Sequence, residues 1–358
     1  MTFSVLQVLH QGGGAGSVTS TLHLSLGLAR AGFHVRFVCP PGSEVERLAR
    51  ASGLEVHPLR LVARSHRRNA RALADLLARH PVDLVNSQSS LDRQALAWLA
   101  LRRSLGVPLV ITRRQMPLTF FLENWLVSRA ASRVVAVSHA VGEALVRRGT
   151  PRAKLVVVPN GTILERIDVA IPPGVLQEWK TRIGWEPSRR TIGIVARPKD
   201  QAVLLRALEQ VRTPVRLVLA GMENVLPAQV DRVPRRHAIV ALPFLPEIRP
   251  LYELLELVLL PSRMEGLSQS LLEAMALAKP VIVSAATGNL EVVKDRVNGR
   301  LAPPLEPHAW AKAIDELLND PLEAERMGAA ARLTAREEFS LAKTIQRTAT
   351  LYHSLLPA

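Results

Sequence analysis

The sequence has a single cysteine, Cys39, in 358 residues, so no disulfide can close within the chain and a reducing compartment is the expectation. Cys39 ends the apolar run Val35-Arg36-Phe37-Val38 and reads as a buried structural thiol, not a catalytic one. No stretch of about 18 apolar residues occurs, and no cationic segment followed by a long apolar one opens the chain. The expectation is a cytoplasmic protein that does not span a membrane. Aromatic residues make up only 4%. They are not interleaved with the arginines as in RNA-binding platforms, and no known docking motif appears, which argues against nucleic acid as a partner. Acidic residues are scarce in one half only: residues 1–160 hold 21 Lys and Arg against 8 Asp and Glu, the remainder 25 against 23. The net charge of +15 is therefore almost wholly N-terminal. It could draw that half to an anionic surface or serve solubility alone.

What is present in quantity is apolar. With 48% hydrophobic and 22% charged residues the chain should fold throughout, and its length fits two cores of about 170 residues each. Short apolar runs alternate with helical patterns: strand 5–10, helix 17–30 stopped at Gly32, strand 34–39, and further pairs up to strand 155–158. The turn signal Pro159-Asn160-Gly161 leads into a polar, proline-containing stretch to Pro187 that reads as a domain junction. A second alternation then runs through strands 191–195, 215–220, 238–242, 258–260 and 281–284. Such alternation predicts an α/β chain of two Rossmann-like domains. Between the first strand and helix lies Gly12-Gly13-Gly14-Ala15-Gly16-Ser17. It lacks the Lys and Ser/Thr of a phosphate-binding P-loop. A third dinucleotide-fingerprint glycine would fall at Ser17, and no acidic residue directly follows the second strand, so NAD binding is not expected. Two readings remain: a tight turn, or a place where small residues let backbone approach a ligand.

Residues 265–273 read Glu265-Gly266-Leu267-Ser268-Gln269-Ser270-Leu271-Leu272-Glu273. If Gly266 to Ser268 form a loop and a helix starts near Gln269, the free N–H groups and positive dipole end there suit an anion such as phosphate. Glu265 then lies ahead of the helix and Glu273 about one turn inside it, so both can face one cleft. Carboxylates also accept hydrogen bonds from sugar hydroxyls. Two solvated glutamates flanking an amphipathic helix would show the same spacing, so the surroundings decide. Pro261-Ser262, Glu265-Gly266, Leu271-Leu272-Glu273-Ala274-Met275-Ala276 and Lys279-Pro280-Val281-Ile282 together resemble the signature of family 4 glycosyltransferases. The resemblance continues through Thr287-Gly288-Asn289-Leu290-Glu291-Val292-Val293, Asn298-Gly299 and Leu301-Ala302-Pro303-Pro304, covering most of residues 190–335.

That resemblance implies the GT-B arrangement, two Rossmann-like domains facing across a cleft. Residues 1–168 would bind acceptor, residues 169–335 would bind nucleotide sugar, and a closing helix within 336–358 would cross back to the first domain. It further implies a retaining enzyme that takes a sugar from a nucleoside diphosphate sugar, with no cofactor and no Asp-x-Asp metal site. In such an enzyme Glu265 meets donor-sugar hydroxyls, Gly266, Leu267 and Ser268 offer backbone N–H groups, and Glu273 holds the ribose hydroxyls. Backbone around Phe244 and Leu245 would meet the base, and Gly13 and Gly14 would face the donor. Arg197 and Lys199 stand where the family places an arginine and a lysine against the diphosphate, whose developing charge needs cations and N–H donors. The lysine sits two residues past the arginine instead of about five, and Asp200 stands where glycine is usual; a plain surface lysine is the alternative. Front-face substitution, with the leaving phosphate oxygen taking the acceptor proton, needs no nucleophile from the enzyme.

On the acceptor side many relatives carry a histidine where this chain reads Ile111-Thr112-Arg113-Arg114-Gln115. Arg113 and Arg114 either contact a charged acceptor or donor or form a surface pair. His10 is a further candidate, and His139 reads as a helix-start residue. The segment Pro117-Leu118-Thr119-Phe120-Phe121-Leu122-Glu123-Asn124-Trp125 concentrates aromatics directly after two arginines. It suits a membrane interface or a lipid-linked acceptor, against the competing expectation that Phe121 and Trp125 pack into the core at i, i+4 spacing. The expected function is transfer to a bacterial cell-envelope glycan or lipid-linked acceptor, in lipopolysaccharide or polysaccharide biosynthesis, by a protein peripheral on the inner face of an anionic membrane. The alternatives are a GT-B-fold nucleotide-sugar epimerase and a non-enzymatic protein binding anions or nucleic acid through its basic half.

Overall fold

A computed structural model describes residues 2–13, 16–164, 167, 169–222, 230–245 and 247–356. Two compact units make up the chain: Met1–Gly161 with Leu341–Ala358, and Thr162–Ser340. The breaks fall a few residues from the 168/169 and 335/336 boundaries expected from sequence.

The first unit is a seven-stranded sheet of β1 (Ser4–Val8), β2 (His34–Cys39), β3 (Glu55–Pro58), β4 (Leu84–Ser87), β5 (Leu109–Arg113), β6 (Arg133–Ala136) and β7 (Leu155–Val157). All neighbours pair in parallel, in the order β3-β2-β1-β4-β5-β6-β7. Val5, Leu6 and Val8 are fully buried, as strands covered on both faces by helices require. The helix Leu341–His353 belongs to this unit: Tyr352 is fully buried and shares a core with Leu28, Phe33, Val35 and Phe37.

The second unit is a six-stranded sheet of β8 (Arg190–Val195), β9 (Val215–Ala220), β10 (Ala238–Leu242), β11 (Leu257–Leu260), β12 (Val281–Ser284) and β13 (Arg300–Ala302). It too is parallel, in the order β10-β9-β8-β11-β12-β13. Its core joins Ile192, Leu217, Leu259 and Ile282 of the strands to Trp310, Ile314 and Leu317 of the helix Pro307–Asn319.

Helix starts follow local chemistry. Ser43, Ser138, Ser268 and Asp320 each cap a helix by accepting from the backbone N–H three residues on. Ser89 and Asp92 form a capping box at the helix Ser90–Leu101.

Two sequence expectations need correction and one gains narrower bounds. The supposed junction before Pro187 contains the helix Pro173–Ile183, opened by a proline in its first turn and closed by Gly184 in the left-handed conformation. The closing helix expected within 336–358 is Leu341–His353, and residues 336–338 end the preceding helix, Pro321–Glu338. Phe121 does not pack into the core; it is 60% exposed, and Trp125 is only partly buried.

Candidate functional site

A parallel sheet opens a crevice at the carboxyl ends of its strands, at the point where strand order reverses. In the second unit that point lies between β8 and β11. The segment following β8 carries Arg197 and Lys199; the segment following β11 carries Arg263 and Glu265. Sequence positions more than 60 apart are thereby brought together, and two contacts tie the loops. Lys199 Nζ donates to Glu265 Oε1 at 2.6 Å. Asp200 accepts from Arg263 twice, from the backbone N–H at 2.9 Å and from Nε at 3.0 Å. The Glu265 side chain is 11% exposed while Lys199 is 41% exposed, so the carboxylate is held under the surface with its cation above it.

Asp200 has φ of +37°. It stands where glycine is usual in the resembled family, and the two bonds to Arg263 hold the aspartate in a conformation glycine adopts without strain. Thr287, at φ +45°, accepts from the Glu265 backbone N–H through Oγ1 at 3.0 Å. The next residue donates to the Glu265 carbonyl, Gly288 N to O at 3.2 Å. A Cβ on Gly288 would lie 1.9 Å from the Gly266 carbonyl oxygen, so the 287–288 turn can rest on the 265–266 turn only because residue 288 has no side chain.

The helix Gln269–Ala276 starts where sequence placed it, with Ser268 as its cap: Ser268 Oγ accepts from Leu271 N. Ser268 is thus a capping side chain and not merely a replacement for glycine. Gly266 and Leu267 form the turn before it, and Leu267 is 6% exposed. Glu273 lies in the second turn. Burial pushes its carboxyl up to about 7, the Tyr252 hydroxyl pulls it down, and the Glu247 charge adds to the rise. Tyr252 is fully buried and reaches Glu273 Oε2 at 3.4 Å and the Ser270 carbonyl at 3.1 Å. Leu245 and the half-exposed Phe244 follow β10 on the same carboxyl edge.

In the first unit the strand order reverses between β1 and β4. His10, just past β1, places Nδ1 2.6 Å from Ser89 Oγ and 3.2 Å from Asp92 Oδ1. Asp92 is fully buried. Burial alone would raise its carboxyl, but hydrogen bonds from His10, Ser89 and Ser87 outweigh that and hold it below the usual range. Arg114, just past β5, donates to Asn160 Oδ1 at 2.6 Å and Gln88 Oε1 at 2.8 Å. Gln88 bonds Gln7, and Gln7 and Asn86 both donate to the Tyr352 hydroxyl. Burial pushes Arg114 down to about 10, and its Nε has no hydrogen-bond partner.

Arg113 does not pair with Arg114. It is 7% exposed and donates through Nη1 to Asn124 Oδ1 at 2.9 Å, beneath the helix Phe121–Ala130. The surface-pair reading of these two arginines is therefore wrong. Gly13 packs against Glu44 at the start of the helix Glu44–Ala51; Gly14 lies outside the described residues. Cys39 is buried, which pushes its thiol up to about 11.

Sequence spacing missed several features. The Asp200–Arg263 tie and the Thr287 hydroxyl join separate strands' loops, the Tyr252–Glu273 contact joins two helices, and none of them leaves a local signature. The fold also gathers Glu55, His57 and His80, the one group among the described residues that could hold a metal ion, where sequence showed no such cluster. Glu55 already accepts from His34, Arg36 and His57.

Comparison with known proteins bears on the family and the fold. Residues 179–334 match the family model for glycosyl transferases group 1, and residues 14–166 match that for glycosyltransferase family 4. A D-inositol 3-phosphate glycosyltransferase of Xylanimonas cellulosilytica is 31% identical over 287 residues, 71% of this chain and 68% of that protein. An O-antigen chain mannosyltransferase C of Escherichia coli is 29% identical over 211 residues, 57% of this chain and 55% of that protein. Among solved structures, Anabaena Alr3699/HepE in complex with UDP-glucose superposes with a TM-score of 0.84 at 20% identity, covering 99% of this chain and 100% of that one. Two parallel-sheet α/β units, the two family models and these relatives converge on one assignment: the chain belongs to the family 4 glycosyltransferases, with the GT-B fold of two Rossmann-like domains.

Proposed function

We propose that this protein is a retaining glycosyltransferase that moves a sugar from a nucleoside diphosphate sugar to a cell-envelope glycan or lipid-linked acceptor. The observation that carries the donor half is the meeting of Lys199 and Glu265 at 2.6 Å, at the β8/β11 switch point and directly ahead of the Gln269–Ala276 helix. In this reading Lys199 keeps further N–H donors for the diphosphate, and Arg197 and the helix start add to them. Glu265, oriented by Lys199 and Thr287, receives the donor-sugar hydroxyls, and Glu273 receives the ribose hydroxyls. With the diphosphate charge met by arginine, lysine and N–H donors, the reading requires no metal ion. The leaving phosphate oxygen takes the acceptor proton, so the acceptor attacks on the face the diphosphate leaves and the anomeric configuration is kept.

On the acceptor side, His10 and Arg114 lie at the carboxyl edge of the first sheet with polar groups held in place by Asp92, Ser89, Gln88 and Asn160. Of the two arginines Arg114 is the one we assign to the acceptor; Arg113 instead bonds Asn124. The lipopolysaccharide or polysaccharide setting is supported by the similarity to the E. coli O-antigen chain mannosyltransferase.

The test begins with thermal stabilisation of the purified protein across a panel of nucleoside diphosphates and nucleotide sugars, with and without EDTA. The expected result is stabilisation by one base family, unaffected by chelation. Glu265→Ala should retain the fold by circular dichroism and lose transfer by at least about 100-fold. Wild-type turnover in that variant would refute the donor-site assignment. The anomeric configuration of the product, read by NMR, decides between retention and inversion.

A further inference from the structure

The helix Phe121–Ala130 is amphipathic in the wrong sense for a water-facing surface. Its buried positions include the polar Asn124 and Ser128. Asn124 accepts from Arg113 and donates to Thr150 Oγ1 at 2.8 Å, and Ser128 Oγ lies 2.9 Å from the same hydroxyl. Its outward stripe is apolar: Phe121, Leu122 and Leu126 are 60%, 64% and 39% exposed, and the preceding loop adds Leu118 at 77% and Phe120 at 84%. Scattered exposed leucines are ordinary, but five large apolar side chains within nine residues form a patch of the kind that marks an interaction surface.

The rim of this patch is cationic. Arg129 closes the outward stripe and lies 5.4 Å from the Trp125 ring centroid. Arg147 is exposed at the end of the helix His139–Arg147. Two residues on, Gly149 comes so close to Phe121 that a Cβ there would meet its ring at 3.0 Å. Arg148 donates to the Thr119 carbonyl, so the basic turn and the apolar loop are joined. Glu123 is the sole acid of the helix, and Gln94 donates to it. Beneath lie Arg93 and Arg113, 8% and 7% exposed. The Arg93 Nε has no hydrogen-bond partner, and burial pushes Arg113 down to about 9, with Arg93 adding to the fall.

We propose that Leu118, Phe120, Phe121, Leu122 and Leu126 insert into the interfacial region of an anionic lipid bilayer, with Arg129 and Arg147 meeting the lipid phosphates. Apolar side chains ringed by arginine match the acyl boundary and headgroup layer of such a surface. Residues 118–120 follow β5 on the same carboxyl edge as His10 and Arg114. The docked face thus brings the acceptor edge of this unit to the bilayer, where a lipid-linked acceptor resides. In that purpose the inference rests on the acceptor reading above, while the docking itself does not.

The experiment is co-sedimentation of the full chain with vesicles of phosphatidylcholine alone or mixed equally with phosphatidylglycerol. Wild-type protein should bind the mixed vesicles, at least about tenfold more weakly the neutral ones, and less in high salt. The double substitution Leu118→Ser with Phe120→Ser touches two side chains already in solvent and should leave the melting temperature unchanged while weakening binding at least about tenfold. Arg129→Glu with Arg147→Glu should weaken it independently. Failure of the wild type to bind the mixed vesicles overturns the proposal, as does binding by the serine variant within twofold of wild type. Light scattering that shows the serine variant dissociating a dimer, with lipid binding unchanged, would assign the face to a second copy of the chain instead. Nucleotide-induced stabilisation of the wild-type protein separates the two proposals: wild-type vesicle binding without any nucleotide response would leave docking intact and remove the donor-site reading.

Discussion

Glu273 is a carboxylic acid whose protonation changes near neutrality, because burial pushes it up to about 7 from an ordinary value of 4.5. In the unfolded chain it loses its proton well before the folded protein does. Between about pH 4.5 and 7 the folded state therefore binds more protons, and its stability falls as pH rises. At about 1.4 kcal/mol per pKa unit the loss is at most roughly 3 kcal/mol. Glu273→Gln, which keeps a polar partner for Tyr252, should flatten this decline; thermal melts of both proteins at pH 5 and pH 8 check it. The proposed ribose contact has the opposite sign. A carboxylate accepts from both ribose hydroxyls where a carboxylic acid must spend one oxygen as a donor, so nucleotide affinity should rise from pH 6 to pH 8. Calorimetric titration should show that rise in the wild type and lose it in Glu273→Gln. A pH-independent affinity in wild type would remove Glu273 from the ribose site.

Among the elements, the loops carry the chemistry and their contacts set its geometry. Gly288→Ala would drive a methyl into the Gly266 carbonyl at 1.9 Å, backbone against backbone, with no flexible side chain to give way. The turn carrying Glu265 must shift, at a cost of about 2–3 kcal/mol. The expectation is a lower melting temperature together with a loss of transfer at saturating donor, since Glu265 loses its support from Thr287; unchanged stability would show that the two turns are not in contact. The strands, most helix starts and the 265–273 segment were legible in sequence because each is written locally, as an apolar run, a capping serine or a glycine turn. β13, Arg300–Ala302, was missed: three residues at a sheet edge are too short for a periodic signal. The Phe121–Ala130 helix misled for a physical reason. Its i, i+4 aromatic spacing reads as a core face, but Asn124 and Ser128 satisfy Arg113 and Thr150 from the buried side and turn the apolar stripe outward.

At the scale of the whole molecule, the chain's last segment stabilises its first unit and not the one it follows. Tyr352, Leu351 and Leu356 are 0%, 7% and 8% exposed within the first unit's core, and the Tyr352 hydroxyl accepts from Gln7 at 3.0 Å and Asn86 at 2.5 Å. Removing residues 341–358 would expose that core and leave two buried amides without an acceptor. Lost apolar burial alone is worth roughly 5 kcal/mol or more, and each unsatisfied amide adds about 1–3 kcal/mol. The total approaches the whole stability of an ordinary domain, about 5–15 kcal/mol. The second unit, Thr162–Ser340, keeps its own sheet, its own core and every residue assigned to the donor except the glycine loop. Calorimetry of the truncated chain should therefore lose the transition of the first unit while the remaining one survives. That surviving transition should still move upward with the nucleotide that stabilises the intact protein. Two transitions persisting after truncation would show that the terminal helix is dispensable to the first core. Loss of both would show that the second unit cannot fold without the first.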